Sequence, residues 1–322
     1  MQTVTSPDVP HGVRQVEIGP ERDGQRIDNA LMTILKGVPK SMIYRILRTG
    51  QVRVNGKRAK PDTRLSQGDM LRIPPVRVAE RTAEQAASQG AIAAAAEAVI
   101  FEDKHFLVID KPTGMASHGG SGVSHGAIEL LRQARPKEHL ELVHRLDRDT
   151  SGVLVFAKTR AGLTGLQAAI RANEVTKQYL CLMVGHPPKA RFDVNAPLQK
   201  SILQGGERMV RVSEGGKPSL TFFREIEQYS GARLMQATLG TGRTHQIRVH
   251  AAHIGHPLAG DTKYGDKEAN KRFRERGLNR LFLHASHMSF ELDGRSYSFS
   301  AQLPEDLKSF LDALAAKGRS GR

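Results

Sequence analysis

Asp147 lies in VHRLDRDTSGVLVFAKT (143–159), between Arg145 and Arg148 and just ahead of an apolar run. A carboxylate flanked by two guanidinium groups has two readings. It can close a turn through bonds to the backbone, or it can be kept ionised as a nucleophile or base. Charged loop residues often carry function, so on the residues alone both readings stay open. Asp149, two positions on, would share a face with Asp147 in an extended chain, as paired glycosidase carboxylates do. Its place at the head of DTSG is also ordinary turn chemistry.

Other stretches invite cofactor chemistry and then withdraw it. GTGRTHQIRVHAAHIG (240–255) follows a strand-like run and enters a helical one, but His245 stands where a dinucleotide fingerprint needs its third glycine. GHPLAGDTKYG follows it where a crossover needs a returning strand. HGGSG (118–122) could cradle a phosphate at a helix start, yet no Gly-Lys-Ser/Thr follows, and a flexible loop is the better reading. His245, His250, His253, His256, His284 and His287 raise the question of zinc. Zinc sites favour cysteine beside histidine, and Cys181 is the only cysteine. No metal and no cofactor is expected.

Those residues must be positioned by a chain of 322 residues, a length that favours two domains. The net charge of +15 points to a polyanionic partner, because dense Lys and Arg gain affinity for nucleic acid by counterion release. With one cysteine no intrachain disulfide forms, and a reducing, cytoplasmic setting is expected. MQTVTSPDVPHGVRQ lacks the apolar core of a secretory signal, and AIAAAAEAVIF (91–101) is too short to span a bilayer, so no membrane role is expected.

Residues 1–20 read as a flexible N-terminus. From 21 to 78 runs a basic module. QRIDNALMTIL and PKSMIYRILRTG carry apolar residues at helical spacing, QVRVNGKRAK turns through Asn55-Gly56 as a hairpin, and DMLRIP supplies a further strand. Between Glu21 and Arg77 there are 13 Lys or Arg against 5 Asp or Glu. Residues 79–98, rich in small and charged side chains, read as a linker with partial helical tendency. From 99 to 318, strands are expected in FLVIDKP, GVLVFAKT, QYLCLMVG, SLTFFREIEQY, ARLMQATL and RLFLHASHMSFEL, with helices near 126–134, 160–171 and 244–254. Strands outnumber helices and a hairpin falls at Ser230-Gly231, so the class is α+β around a mainly antiparallel sheet.

GQRIDN, VPKSMIYRILR and VRVNGKR resemble the alpha-L RNA-binding fold first seen in a small-subunit ribosomal protein. The resemblance implies that the second helix and the hairpin lie on RNA backbone, through Lys40, Arg45, Arg48, Arg53, Lys57 and Arg58. The plain alternative is a solvated charged face. HRLDRDTSG at 144, KQYL at 177 and GRTHQIR at 242 resemble, in order and spacing, the three active-site motifs of the Rlu family of ribosomal large-subunit pseudouridine synthases. LQGGERMVRV (203–212) extends the likeness to the RluC branch.

That resemblance implies an alpha-L domain followed by a mixed-sheet catalytic domain that isomerises uridine to pseudouridine at several positions of large-subunit (23S) ribosomal RNA. It gives Asp147 as the catalytic aspartate, Tyr179 as the active-site tyrosine and Arg243 as the basic partner of the aspartate. Arg145 becomes the side chain inserted where the flipped uridine has left its helix. Arg148 and Asp149 fall at variable positions and receive no chemistry, and Gly119 stands where many relatives have proline. The reaction exchanges the sugar's bond to N1 for one to C5 with no net oxidation, so neither metal nor cofactor is required. Attack at C1′, attack at the base and a glycal route all remain open. A monomer is expected. The rivals are a non-catalytic RNA-binding or ribosome-assembly protein, which the charge explains equally well, and an RNA methyltransferase, which would need a glycine-rich cofactor loop.

Overall fold

The computed structural model describes residues 12–35, 38–76, 87–120, 125–202 and 208–319. The chain divides into two compact units, Met1–Ala86 and Ala87–Arg322.

In the first unit, β1 (Arg14–Glu17) precedes α1 (Ile27–Ile34) and α2 (Lys40–Arg48), then β2 (Arg53–Val54), β3 (Lys57–Arg58) and β4 (Met70–Ile73). The strands form a sheet in the order β1-β4-β2-β3. Part of the stretch read as a flexible terminus is therefore a strand, paired antiparallel with β4 along Arg14–Glu17. At four residues, beside an end without apolar alternation, it left little pattern to read. Ile27, Leu31, Ile43, Ile46, Leu47, Val52 and Leu71 build the core at helical and strand spacing. Asp28 is nearly buried, bonded by Arg26 through Nε at 3.1 Å and Nη2 at 2.7 Å and by the Tyr44 hydroxyl at 3.2 Å, which ties α1 to α2. The turn takes positive φ at Asn55 and Gly56, the condition for a tight two-residue hairpin.

The second unit opens with α3 (Gln89–Glu97), which lies within the expected linker. Ser88 caps it by accepting the Ala91 N–H, and Ala95 is fully buried in the unit's core. An alanine-rich segment has too little apolar bulk to announce a core element. Its small side chains instead let a strong helix former pack closely against a neighbour.

Next come β5 (Val99–Glu102), β6 (Phe106–Lys111), α4 (Ala127–Ala134), β7 (Glu141–Leu142), β8 (Ser151–Ala157), α5 (Arg160–Ala172) and β9 (Thr176–Val184). They are followed by β10 (Arg191–Asn195), β11 (Leu198–Ile202), β12 (Arg208–Val212), β13 (Leu220–Tyr229), β14 (Ala232–Leu239), α6 (Gln246–His253), α7 (Lys267–Arg274), β15 (Leu283–Leu292), β16 (Arg295–Ser300) and α8 (Glu305–Arg319). One large sheet runs β10-β13-β14-β9-β15-β8-β6-β5, with β16 on β15 and β7 on β8, while β11 and β12 pair apart. Its pairings are antiparallel except β15 with β8. Alternate residues of the strands pack on opposite faces. Leu107, Leu154, Phe156, Cys181 and Met235 meet α4 and α6 on one face. Val108, Val153, Val155 and Phe290 meet α5 on the other, with Leu182 and Leu234 against α7 and α8. β8 is buried along its whole length, which is why GVLVFA reads as continuous rather than alternating apolar sequence. At the start of β8, Gly152 has φ of +110° and a Cβ there would lie 2.2 Å from the Ala285 carbonyl oxygen. The glycine of DTSG thus allows β15 to approach just beyond Asp147.

Candidate active site

Asp147 sits on the connection from β7 to β8, and a neighbouring loop holds that connection from behind. Lys111, fully buried at the end of β6, donates through Nζ to the carbonyls of Pro112 (2.9 Å), Met115 (2.7 Å) and Arg148 (3.2 Å). Ser117 Oγ accepts the Leu146 N–H at 2.9 Å and donates to the Leu146 carbonyl at 2.7 Å. Thr113 Oγ1 donates to the Asp149 carbonyl, and the Gly114 N–H to that of Arg148. A segment of irregular backbone is thereby satisfied internally, and Asp147 projects from a fixed frame.

The guanidinium beside it is that of Arg248, whose Nη1 stands 3.5 Å from Asp147 Oδ2. Arg248 lies on α6 and its side chain is 5% exposed. Nε and Nη2 bond Asp261 side-on at 2.8 Å each, leaving Nη1 to face Asp147. Burial alone would pull the Arg248 guanidinium down, but the bonds and charge of Asp261, with the charge of Asp147, outweigh it and hold its pKa above the ordinary value. Asp261 Oδ1 also accepts the N–H groups of Lys263 and Tyr264 at 2.9 and 3.0 Å. A lysine could not satisfy both carboxylates in this plane.

Arg243, expected as the aspartate's partner, is placed differently. It lines the same recess, but its exposed side chain donates from Nε to the Pro218 carbonyl at 3.2 Å. Both arginines belong to GRTHQIR, and the helix decides between them. Arg243 precedes α6, whereas Arg248 lies on a helix whose residues Gln246, Ile247, Arg248, Val249, His250 and Ala251 are all buried. The sequence carries no signal for this, since Gln246, His250 and His253 recur at helical spacing as a solvated face would; the burial of α6 decides it, because an arginine inside a buried helix needs a carboxylate.

His245 begins α6 in the left-handed conformation at φ of +54°. The Tyr264 hydroxyl accepts the Val210 N–H at 3.0 Å and shares a hydrogen bond with His245 Nδ1 at 2.7 Å, which orients the ring with Nε2 3.7 Å from Asp147 Oδ2. Burial lowers its pKa against the opposing charge of Asp147, which keeps the ring neutral. The Tyr264 ring also carries the Arg248 guanidinium at 5.1 Å from its centroid.

Tyr179, on β9, lines a recess of about 60 Å³ with Asp147, Arg243, His245 and Arg248. Burial, reinforced by the Asp147 charge, pushes its phenol above the ordinary value, so the hydroxyl keeps its proton. That hydroxyl has no hydrogen-bond partner among the described residues. The recess shares Arg145, Leu146, Asp147, His245 and Arg248 with an outer cavity of about 400 Å³. Arg145 is exposed at this mouth and unpaired among the described residues. Asp149 lines the outer cavity and not the recess, its Oδ1 lying 3.4 Å from Arg148 Nε.

Four of the other five histidines between 245 and 287 have ordinary partners, and His253 is exposed. His250 lies between Thr221 Oγ1 and the Ala196 carbonyl, His284 between Ser151 and Ala301, while His256 meets Val184 and His287 meets Ser300. Among the described residues no His, Cys, Asp or Glu group could hold a metal. Part of HGGSG, and residues 203–207 of LQGGERMVRV, lie outside the described residues.

In the first unit, Arg45, Arg48, Arg53, Lys57 and Arg58 are all exposed on α2 and the hairpin, and the Lys40 side chain lies outside what the structure describes. Arg48, Arg53 and Arg58 donate to the carbonyls of Tyr44, Gly56 and Thr49. Among the described residues none of the five is paired with a carboxylate. Their charge is steadied without being neutralised.

Comparison with known proteins agrees with both units. Residues 25–71 match the S4 domain and residues 105–253 the RNA pseudouridylate synthase family. Ribosomal large subunit pseudouridine synthase C of Escherichia coli (strain K12) is 53% identical over 298 residues, which cover 91% of this chain and 93% of that protein. Its counterpart from Salmonella typhi is 52% identical over 311 residues, 95% and 98% of the two chains. Among solved structures, human RNA pseudouridylate synthase domain containing 1 aligns with a TM-score of 0.55 at 25% identity, covering 68% of this chain and 94% of that one. An S4 domain followed by an RNA pseudouridine synthase domain defines the class of protein. The chain belongs to the ribosomal large-subunit pseudouridine synthase family.

Proposed function

We propose that the protein converts uridine to pseudouridine at several positions of large-subunit (23S) ribosomal RNA, with Asp147 as nucleophile. The observation that carries this reading is the recess in which Asp147 meets Arg248 and Tyr179, with a wider basic mouth in front. The reaction needs one base held out of water while the bond from C1′ to N1 breaks and a bond from C1′ to C5 forms. The proton lost from C5 is balanced by one gained at N1. A carboxylate oriented by a fixed guanidinium supplies the nucleophile, and the walls of the recess hold the detached uracil near C1′. Tyr179 offers a flat wall and a protonated hydroxyl near the departing ring, and Arg145 at the mouth can enter the space a flipped uridine leaves. Flipping costs about a few kcal/mol, which favours distorted RNA. The exposed basic face of the S4 unit provides compensating affinity for backbone, through Arg45, Arg48, Arg53, Lys57, Arg58 and Lys40.

That one chain carries every residue named favours a monomer as the acting unit, and a ribosomal RNA substrate favours a cytoplasmic setting. Among the described residues no helix is long and apolar enough to cross a membrane. The chemistry uses side chains alone, with no cofactor or metal. Mapping pseudouridine in large-subunit RNA from cells with and without the gene, and with Asp147→Asn in its place, tests the reading. Discrete sites should vanish in both altered strains. Full modification in either would leave an RNA-binding assembly role as the better account.

A further inference from the structure

A second cavity of about 360 Å³ opens from the outer mouth, sharing Arg148, Asp149, Arg248 and Thr262 with it. Its far wall is the stretch from α7 to β15, and its charge is one-sided. Arg248 is committed to Asp261 and Asp147, Arg148 lies beside Asp149 and Arg280 beside Asp306, and Asp149 is the one carboxylate among the lining residues against Arg148, Arg274 and Arg280. Arg274, at the end of α7, is exposed and has no partner among the described residues.

Arg280 is a buried cation held in place with its charge incompletely answered. Its side chain is 10% exposed, and the carboxylate beside it, Asp306 at 3.6 Å, is itself 54% exposed. Nη2 donates to Ser151 Oγ at 2.7 Å. Ser151 in turn donates to His284 Nδ1 at 2.9 Å, and His284 Nε2 donates to the Ala301 carbonyl at 3.1 Å. Ser151 and His284 are buried, so the orientation of the guanidinium is set before any ligand arrives. Burial pulls Arg280 below its ordinary value despite Asp306, Asp149 and Asp110, the behaviour of a cation desolvated more than it is compensated. Such a group is stabilised by an entering anion, and planar guanidinium forks match phosphate oxygens well.

We propose that this cavity is a subsite for a backbone phosphodiester of the RNA strand flanking the target uridine, gripped by Arg274 and Arg280 with help from Arg148. The proposal rests on reading the Asp147 recess as the place where that uridine reacts. Because the two cavities adjoin across Arg148, Asp149, Arg248 and Thr262, a strand whose base enters the recess can lay its next backbone segment here. The subsite then fixes strand direction and register, and selects sequences able to bend sharply beside the flipped base.

The test is a binding cycle across protein and RNA. A large-subunit RNA hairpin that the protein binds is synthesised with single neutral methylphosphonate linkages scanned through its loop. Affinity is measured by fluorescence anisotropy for the wild type, Arg274→Ala and Arg274→Lys, with thermal melting as a check on folding, and pseudouridine is assayed in the same samples. One linkage should weaken wild-type binding about tenfold. Arg274→Ala should weaken binding to unmodified RNA to a similar degree and become indifferent to that linkage while remaining sensitive to the others, with Arg274→Lys intermediate. Additive losses at every linkage, or unaltered affinity in a folded Arg274→Ala protein, would overturn the subsite. Coupling at one linkage without pseudouridine in the wild-type samples would keep the anion site and remove the proposed reaction instead.

Discussion

The two units hold positive charge in opposite ways. In the S4 unit Arg45, Arg48, Arg53, Lys57 and Arg58 stand in solvent, steadied at most by carbonyls. Around Asp147 the decisive cation, Arg248, is nearly excluded from water and locked against Asp261, whose side chain is 0% exposed. Exposed cations act singly, are screened by salt and can be lost one at a time. A buried pair has no such tolerance, because removing either member strands the other charge. The first arrangement suits an extended, variable backbone; the second suits one reacting atom that must always stand in the same place.

The sharpest break of that contrast is Asp147→Asn. It preserves shape and removes the proposed nucleophile, and single-turnover pseudouridine formation should fall by about four orders of magnitude. RNA affinity, which the proposal assigns largely to exposed cations, should shift by less than about threefold. A comparable loss of affinity and rate would mean that the two kinds of charge are not separable.

Arg248 and Arg243 come next. Arg248→Ala leaves Asp261 buried and unpaired, with an expected destabilisation of about 3–5 kcal/mol in denaturant unfolding. Arg243→Ala, at an exposed side chain with one carbonyl contact, should move stability by less than about 0.5 kcal/mol. If Arg243→Ala proved the destabilising change and Arg248→Ala the harmless one, the pairing of Asp147 described above would be reversed.

The same contrast explains what was legible beforehand. Exposure leaves its mark in composition, so the charge and motifs of GQRIDN and VRVNGKR sufficed to read the basic module. Regular strands such as GVLVFA and ARLMQATL were equally plain, since their apolar runs match the sheet they build. What escaped was held by tertiary contact. Arg243 and Arg248 share one motif, and only the burial of α6 shows which of them meets Asp147. Lys111 carried no local sign that three carbonyls from two loops would surround it. Tyr264 and Asp261 lie in GHPLAGDTKYG, which reads as loop until the Arg248 and His245 contacts are seen. α3 reads as linker in the sequence because alanines show neither of the patterns by which core elements are recognised.

Lys111 gives a third test, through pH. Burial, helped by the charge of Arg280, draws its ammonium from 10.5 to about 7. Between those values the native state holds fewer protons at this site than the unfolded chain, so unfolding free energy should rise with pH, by at most about 1.4 kcal/mol per unit. Below about pH 7 both states are protonated and this contribution to the slope disappears. Lys111→Met should lack the rise. Absolute stability will also fall, since three carbonyls lose their donor, so the comparison lies in the slopes of urea-unfolding free energies against pH.

The smallest effect belongs to the exposed face. Arg45→Ala or Arg48→Ala should each lower affinity only a few-fold and reduce the slope of log affinity against log salt by about one. The double variant should be close to additive if the two side chains, neither of which shares a carboxylate partner with the other, contact separate phosphates. Anisotropy titrations across a salt series read this directly. Strong non-additivity at Arg45 and Arg48 would mean that the S4 face recognises one RNA geometry as a unit, which would make it resemble the Arg248 network after all.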